Sequence, residues 1–372
     1  MQIGVPKEIK NHEYRVGLTP TSVREMVKHG HRVVVETDAG IGIKRSDEEY
    51  RNSGAEIVDT AAEVFERAEM IVKVKEPQAV ERAMMREGQI LYTYLHLAPD
   101  PDQTRDLVGS GATCIAYETV TSPLGGLPLL APMSKVAGRM SIQAGAYCLE
   151  HPHGGLGMLL GGVPGVDPAK VVVLGAGVVG THATHIAVGM GADVWVLDNN
   201  SDALDRHWQM FRRSTNTVFS TADTLEQHVL GADLVIGGVL VPGAEAPKLV
   251  TREMVANMKP GSVIVDVAID QGGCCETSRP TTHAEPTYTV NDVVHYCVAN
   301  MPGGVPRTST FALNNVTLPF ALELADLGAR EALMSNPHLR NGLNVHAGKV
   351  TYKPVAEELG YDYVPADEAL FQ

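Results

Sequence analysis

Five polar side chains that can bind or transfer charge follow short apolar runs in the sequence. Lys75 ends the run MIVKVK, His96 ends QILYTYLH, Glu118 ends TCIAYE and Asp270 ends SVIVDVAID, while Arg15 follows the first run, QIGV. A lysine or histidine at the end of a strand is commonly no more than solvated. Because ligands bind where the carboxyl ends of parallel strands meet, we expect Arg15, Lys75 and His96 to share one edge of a sheet. Asp270 is expected to face them across a cleft.

These residue types suit a small substrate that carries a carboxylate. A guanidinium binds a carboxylate through two parallel hydrogen bonds, so Arg15 would fix both its charge and its orientation. Lys75 would supply a second cation to the same carboxylate. His96 suits acid–base catalysis at a carbonyl or an amine, because imidazole exchanges protons near neutral pH. Asp270 would hold a water molecule or ammonium and stabilise a cationic imine.

The elements that must position these residues alternate between strands and helices. Short β-branched runs are followed by amphipathic stretches, which predicts βαβ units and parallel sheets. Thr19 predicts an N-cap and Pro20 the first helical position, while Gly30 predicts the end of that helix. Longer helices are predicted over residues 128–151 and 310–327. The first predicted strands span residues 2–5, 32–36, 70–74, 89–95 and 113–117.

A glycine-rich turn after a buried strand predicts a dinucleotide site. The run Val171–Leu174 leads directly into Gly175, Gly177 and Gly180 in GxGxxG spacing, and Asp198 ends the next strand. The first glycine permits the tight turn, the second lets the backbone approach a pyrophosphate, and the third lets the helix pack closely on the strand. An acidic residue at the end of the second strand accepts the ribose hydroxyls and repels a 2′-phosphate. NAD is therefore favoured over NADP.

Histidine and cysteine spacings predict no metal site. His182 and His185 share a helix face, but no acidic or cysteine partner is spaced to complete a site, so they are expected to face solvent or to pack. The five cysteines include no CxxC pair, which suits a reducing cytoplasm. The adjacent Cys274 and Cys275 are expected to be two reduced thiols rather than a strained disulfide.

Length, charge and hydropathy restrict the architecture and the partners. A formal net charge of −14 argues against nucleic acid, because no basic stripe neutralises phosphates. No apolar run reaches the ~18–20 residues needed to span a bilayer, and MQIGVPKEIK contains no signal segment, so a cytoplasmic location is expected.

A chain of 372 residues predicts two domains. The predicted class is α/β, with a Rossmann-type doubly wound parallel sheet (129–303) inserted into a discontinuous α/β substrate domain (1–128 and 304–372).

GVPKEIKNHEYRVGLTP, at residues 4–20, resembles the N-terminal signature of the alanine dehydrogenase and pyridine nucleotide transhydrogenase family. Other segments resemble alanine dehydrogenases in particular, and the resemblance covers essentially the whole chain. These segments are VKVKEP, LHLAPD, AYETV, PLLAPMSKVAGR, GGVPGV, residues 239–250, DVAIDQGGC, SRPTT and YCVANMPGGVP. The resemblance implies reversible oxidative deamination of L-alanine by NAD to pyruvate, ammonium and NADH, in a homohexamer.

The resemblance also implies roles for individual residues. Arg15 and Lys75 match positions that bind the substrate carboxylate. His96 matches the catalytic acid–base, and Asp270 matches its acidic catalytic partner. The positions that match cofactor contacts are Ser134, Val178, Val179, Asp198, Ser220, Val239, Leu240, Val267, Ala268, Ile269, Asp270, Arg279, Val298, Ala299, Asn300 and Met301.

Two positions depart from some members of the family. Ala203 replaces a lysine that reaches the cofactor, so one polar NAD contact is expected to be missing. Leu327 replaces a histidine that joins the position of Glu118 at a divalent metal, and no metal site is therefore expected.

Two other functions remain open at the level of sequence. A soluble transhydrogenase subunit would share the glycine turn, but it would not need Arg15, Lys75 and His96 around a small carboxylate. A non-catalytic protein that kept the fold would bind NAD without turning over alanine.

Overall fold

The computed structural model describes residues 1–239 and 246–371, and the chain divides into two compact units. The first unit comprises residues 1–133 and 303–372, and the second comprises residues 134–302. The second unit is therefore inserted into a discontinuous first unit, which confirms the predicted two-domain α/β class. Over the described part of the chain, no helix is both long enough and apolar enough to span a bilayer.

Strands and helices alternate along most of the chain, as the sequence pattern predicts. The strands are β1 (Gln2–Val5), β2 (Arg32–Glu36), β3 (Glu56–Val58), β4 (Met70–Val72), β5 (Ile90–Thr93), β6 (Thr113–Ala116), β7 (Lys170–Leu174), β8 (Asp193–Asp198), β9 (Asn216–Phe219), β10 (Leu234–Gly237), β11 (Val263–Asp266), β12 (Thr287–Val290), β13 (Val293–Tyr296), β14 (Leu343–His346) and β15 (Lys349–Val350). The α-helices are α1 (Pro20–Lys28), α2 (Asp47–Asn52), α3 (Ala61–Arg67), α4 (Ala79–Arg82), α5 (Pro101–Ser110), α6 (Ala131–Cys148), α7 (Val178–Gly189), α8 (Ser201–Phe211), α9 (Ala222–Leu230), α10 (Arg252–Asn257), α11 (Pro306–Leu327), α12 (Ala329–Ser335), α13 (Pro337–Arg340), α14 (Lys353–Leu359) and α15 (Ala366–Phe371). Short 3₁₀ helices lie at Ile41–Ile43, Tyr117–Thr119, His151–His153, Arg212–Ser214, Val267–Gln271 and Met301–Gly304.

The sheet of the first unit has the strand order β15-β14-β6-β5-β4-β1-β2-β3. Strands β1 to β6 are parallel, whereas β14 pairs antiparallel with β6 and with β15. In β2, Val33 and Val35 enter one apolar core and Val34 enters another, which is the two-residue period of a strand buried on both faces. The carboxyl ends of β1, β4, β5 and β6 therefore meet at one edge of this sheet.

The sheet of the second unit has the order β12-β13-β11-β10-β7-β8-β9. Counted from β7, its parallel strands follow the 3-2-1-4-5-6 order of a dinucleotide-binding sheet, with the switch point between β7 and β10. Strand β12 alone among the described strands of this sheet runs antiparallel, against β13. Val171 and Val173 enter one core and Val172 enters another. This arrangement confirms the predicted Rossmann-type sheet.

The boundaries of several elements differ from those predicted. Strands β4, β5 and β6 end at Val72, Thr93 and Ala116, earlier than the polar residues that were expected to end them. Helix α6 is shorter than predicted, and α11 begins earlier, at Pro306. Helix α1 begins at Pro20 as predicted.

Asp270 does not end a strand, and that prediction was wrong. Strand β11 ends at Asp266, because its partner β10 ends at Gly237, which pairs with Asp266. The chain then turns into a 3₁₀ helix, Val267–Gln271, which contains Asp270. The strand-like run SVIVDVAID is therefore longer than the pairing with β10 that would keep it extended.

Candidate active site

Close packing holds the loop that carries Arg15 between β1 and α1. A Cβ at Gly17 would lie 2.2 Å from the carbonyl oxygen of Val72, so only glycine fits against the end of β4. Asn314 of α11 accepts the N–H of Thr19 at 2.9 Å and donates to the carbonyl of Gly17 at 3.1 Å. The first unit therefore fixes this loop at the carboxyl end of its sheet.

Arg15 is buried, and its guanidinium forms an ion pair with the carboxylate of Glu13. Its Nε and Nη2 donate to the two carboxylate oxygens of Glu13 at 2.7 and 2.5 Å, and its Nη1 lies 3.0 Å from the sulfur of Met133. Although burial disfavours the charge, Glu13 holds the pKa of Arg15 above its ordinary value. Sequence reasoning missed Glu13, which lies two residues before Arg15. The contact of Arg15 with a substrate carboxylate stays a prediction.

Glu76 brings Lys75 and His96 together. Its Oε2 lies 3.8 Å from Nδ1 of His96 and 4.0 Å from Nζ of Lys75, and its Oε1 accepts a hydrogen bond from Lys10. Burial raises the pKa of the Glu76 carboxyl, but His96, Lys75 and Lys10 together hold that pKa well below its ordinary value. Glu76 is therefore ionised near neutral pH. Its position directly after Lys75 was the only signal of it in the sequence.

Tyr94 links His96 to the neighbourhood of Arg15. The rings of Tyr94 and His96 stack at 5.8 Å between centroids with 28° between their planes, and the Tyr94 hydroxyl donates to the carbonyl of Leu129 at 2.5 Å. Burial raises the pKa of Tyr94 strongly, and Arg15 is close enough for its charge to oppose that rise. Arg15, Lys75 and His96 thus follow the neighbouring strands β1, β4 and β5 at one edge of the sheet, where Arg15 is buried and His96 is exposed.

The backbone at His96 has an unusual conformation. Its φ of +49° lies in the left-handed region, which costs a residue with a side chain about 1–2 kcal/mol. Oε1 of Glu118 accepts the N–H of Leu95 at 3.1 Å and that of His96 at 2.6 Å. Glu118 lies in the 3₁₀ helix Tyr117–Thr119, directly after β6. Glu118, in the segment that follows β6, therefore fixes the backbone that carries His96.

A buried ion cluster of Glu8, Lys73 and Glu81 supports the backbone of Lys75. Nζ of Lys73 lies 3.0 Å from Oε2 of Glu8 and 2.7 Å from Oε1 of Glu81, and all three side chains are at most 2% exposed. Oε1 of Glu8 accepts the N–H groups of Val74 and Lys75 at 2.6 and 3.2 Å. Although burial disfavours the charge, the two carboxylates hold the pKa of Lys73 above its ordinary value. The sequence did not point to this cluster.

Asp270 belongs to the second unit, where its side chain is exposed. Its Oδ1 accepts the N–H of Asn300 at 3.2 Å, and Asn300 itself has a φ of +59°. Just before it, the buried carboxylate of Asp266 accepts the N–H of Cys274 at 2.9 Å and the hydroxyl of Ser278 at 2.6 Å. These bonds order the loop that follows Asp270.

The glycine turn at the end of β7 has the geometry that a pyrophosphate requires. Gly175 has a φ of +100°, and its N–H donates to the carbonyl of Leu197 at 2.7 Å. A Cβ at Gly180 would lie 1.8 Å from the carbonyl oxygen of Gly175, whereas a Cβ at Gly177 would meet no atom within 4 Å. Gly177 caps α7 without any side-chain hydrogen bond to the first helical N–H groups. These groups and the space at Gly177 can therefore accept an anionic ligand.

Asp198 lies at the end of β8, beside the glycine turn. Its Oδ2 accepts the N–H of Ala176 at 2.7 Å, and its Oδ1 accepts the N–H of Asn200 at 2.8 Å. A carboxylate offers about four acceptor positions, so two remain for the hydroxyls of a ribose. The placement fits NAD.

The other predicted cofactor positions lie mainly beyond the carboxyl ends of the strands of the second unit. Ser134 lies in α6, and the Arg279 guanidinium stacks over the ring of Tyr288 at 4.1 Å. Leu240 lies outside the described residues. Ser220 follows β9, and Val239 follows β10. Val267, Ala268, Ile269 and Asp270 follow β11. Val298, Ala299, Asn300 and Met301 follow β13. Contacts of these residues with NAD stay predictions.

In the second unit, His182 is partly buried, whereas His185 faces solvent. His182 accepts a hydrogen bond from Nε of Arg139 at 3.1 Å, and burial together with Arg139 lowers the pKa of His182 to about 4. His185 is exposed. Cys274 and Cys275 are both free and buried. Within residues 1–239 and 246–371, no three histidine, cysteine, aspartate or glutamate side chains form a group that could hold a metal ion.

We expect Gly177→Ala to weaken NAD binding while leaving folding unchanged. The added methyl group meets no protein atom, but it fills the space through which a pyrophosphate approaches the backbone. NAD affinity measured by calorimetry should fall at least about tenfold, equivalent to about 1.4 kcal/mol, with an unchanged melting temperature. Gly189→Ala, which also meets no atom within 4 Å but lies at the far end of α7, is the matched control. Equal NAD affinity in both variants would contradict the assignment of this turn.

Comparison with known proteins matches nearly the whole chain. Residues 4–137 match the N-terminal domain of the family described as alanine dehydrogenase/PNT, and residues 141–353 match its C-terminal domain. The alanine dehydrogenase of Halomonas elongata is 60% identical over 98% of this chain and 99% of its own. A solved L-alanine dehydrogenase is 52% identical with a TM-score of 0.94, covering 97% of this chain and 99% of its own. A transhydrogenase from Sinorhizobium meliloti is 27% identical with a TM-score of 0.81, covering 95% and 99%.

Proposed function

Because the chain belongs to the alanine dehydrogenase/PNT family, we propose that it is an NAD-dependent L-alanine dehydrogenase. The reaction converts L-alanine, NAD⁺ and water into pyruvate, ammonium, NADH and a proton, and it is reversible. The observation that carries the proposal is the cationic and acid–base group in the first unit, formed by Arg15, Lys75 and His96. This group is what a small carboxylate substrate needs and what nucleotide binding alone does not.

Recognition of alanine is assigned to Arg15 and Lys75, which would bind its carboxylate. Glu13 already holds the guanidinium of Arg15 in one orientation, so little side-chain freedom is lost when the substrate binds. Glu8 holds the backbone of Lys75 in the same way. The glycine turn and Asp198 would hold NAD, which would supply the acceptor for the hydride that leaves Cα.

Proton transfer is assigned to His96 and Asp270. Loss of hydride from the neutral amine leaves a cationic imine, which Asp270 would stabilise through its carboxylate. His96 would take a proton from the water that attacks this imine and return one to the departing ammonia. Glu76 near Nδ1 of His96 favours a proton on that nitrogen, which leaves Nε2 to exchange protons with the substrate.

The test is a spectrophotometric assay of NADH formation from L-alanine. We expect turnover with alanine and NAD, and none above background with NADP, because Asp198 repels a 2′-phosphate. Serine and 2-aminobutyrate, assayed in parallel, define the breadth of substrates. NAD binding without alanine turnover would favour a non-catalytic protein, and hydride transfer between NADH and an NADP analogue without alanine would favour a transhydrogenase subunit.

We also propose that the chain works in the cytoplasm as a homohexamer. The resemblance to the family supports the hexamer, and five buried free cysteines are compatible with a reducing compartment. Light scattering coupled to gel filtration measures the assembly directly. A monomer or dimer at micromolar concentration would refute the hexamer.

A further inference from the structure

His96 must be held in a conformation that its own side chain does not enforce. Its backbone has a φ of +49°, and its ring is 44% exposed, so burial of the ring does not account for the left-handed geometry. Positive φ is uncommon for a residue with a side chain, although histidine adopts it more often than most, and it persists where surrounding groups stabilise it. The groups that do so here are found on two neighbouring elements.

Glu118 supplies the acceptors on one side of this segment. Thr93 and Ala116 are paired at the ends of the parallel strands β5 and β6, so the residues that follow them meet at the same edge. Oε1 of Glu118 accepts hydrogen bonds from the backbone N–H groups of Leu95 and His96, and its Oε2 accepts a longer one from the N–H of Leu95 at 3.3 Å. Hydrogen bonds to an ionised carboxylate are about twice as strong as neutral ones.

Helix α5 holds the carbonyl side of the same segment. Nε2 of Gln103 donates to the carbonyl of Leu95 at 2.5 Å, and the hydroxyl of Thr104 donates to that of Leu97 at 3.0 Å. Both polar side chains are fully buried. The backbone around His96 is thus bound on its N–H side by Glu118 and on its carbonyl side by α5.

We propose that Glu118 is a positioning residue for the acid–base chemistry of His96. By binding the two N–H groups, it selects the left-handed backbone that stacks the imidazole on Tyr94 and turns Nδ1 toward Glu76. The inference depends on the proposed function only in that His96 exchanges protons with the substrate. In this proposal, the Glu118 carboxylate binds backbone N–H groups of this chain rather than a metal ion.

Two conservative variants distinguish these roles. Glu118→Gln keeps an oxygen where both N–H groups converge, so we expect kcat to stay within about threefold of wild type. Glu118→Asp keeps the charge but is shorter by one methylene group, so the acceptor no longer reaches the N–H groups. A displacement of about 1 Å in a catalytic group can cost about 10²-fold, and we expect a loss of kcat of that order with an unchanged KM for NAD. The reverse order, with Asp active and Gln inactive, or activity restored by Mg²⁺ or Mn²⁺, would overturn the proposal.

A double-mutant cycle tests whether Glu118 acts through His96. In a His96→Gln background, Glu118→Asp should reduce the residual rate less than about twofold, because coupled residues have non-additive effects. An undiminished loss in that background would refute a positioning role.

Crystal structures of the two Glu118 variants provide a readout without turnover: φ of residue 96 should stay positive with Gln and change sign with Asp. If the wild-type chain fails to oxidise alanine, the proposed function fails, whereas an unchanged φ in the Asp variant refutes this inference alone.

Discussion

His96→Gln is expected to oxidise L-alanine about 10²–10⁴ times more slowly than wild type, because it removes the proposed general acid–base. Glutamine approximates the size of histidine and can still pack on Tyr94, but it cannot exchange a proton. The loss should appear in kcat, with little change in the affinity for NAD, since the glycine turn belongs to the other unit. Steady-state kinetics in both reaction directions measure it.

The control for this variant is His151→Gln, at an exposed position in a 3₁₀ helix of the second unit. Its kinetics should match those of wild type. Near-full turnover of His96→Gln would contradict the acid–base role and would leave Lys75 as the next group to test.

Lys73→Met is expected to destabilise the first unit by about 3–5 kcal/mol, because it leaves two buried carboxylates without their cation. Both Glu8 and Glu81 contact Nζ of Lys73 in a fully buried environment. Urea unfolding followed by circular dichroism measures the change, with separate analysis of any two transitions, since two units need not unfold together. Alanine turnover should also fall, because Glu8 holds the backbone of Lys75.

The matched control is Lys28→Met, which breaks an exposed pair with Glu25 on α1. Exposed ion pairs contribute about 0–1 kcal/mol, so unfolding of this variant should be nearly unchanged. Replacing Glu8 and Glu81 with glutamine in the Lys73→Met chain should recover part of the stability, since the unpaired charges are then gone. Equal unfolding free energies for Lys73→Met and wild type would show that the cluster does not stabilise the fold.

Features with local signals could be predicted from the sequence. Thr19 and Pro20 define the start of α1, because capping depends on neighbours along the chain. The glycine turn and Asp198 could be recognised for the same reason, since strand, turn and helix are consecutive. The apolar runs also identified the strands whose carboxyl ends carry Lys75 and His96.

The partners of His96 could not be predicted, because they come from other strands. Glu76 reaches His96 across β4 and β5, and Glu118 reaches the same histidine's N–H from beyond β6. A single sequence does not identify the acidic side chain with which a cation will pair in the fold. The misplacement of Asp270 has a similar cause, since the length of β11 depends on where β10 ends. Charge pairing and strand length are both set by long-range contacts.

The split of the first unit between the two ends of the chain has a consequence for biosynthesis. Strands β14 and β15 extend the sheet beyond β6, yet the ribosome makes them after the whole of the second unit. The nascent polypeptide therefore carries an exposed edge at β6 throughout translation of residues 134–302. The contiguous second unit can close its own sheet during that interval, whereas the first is complete only when the last strands emerge.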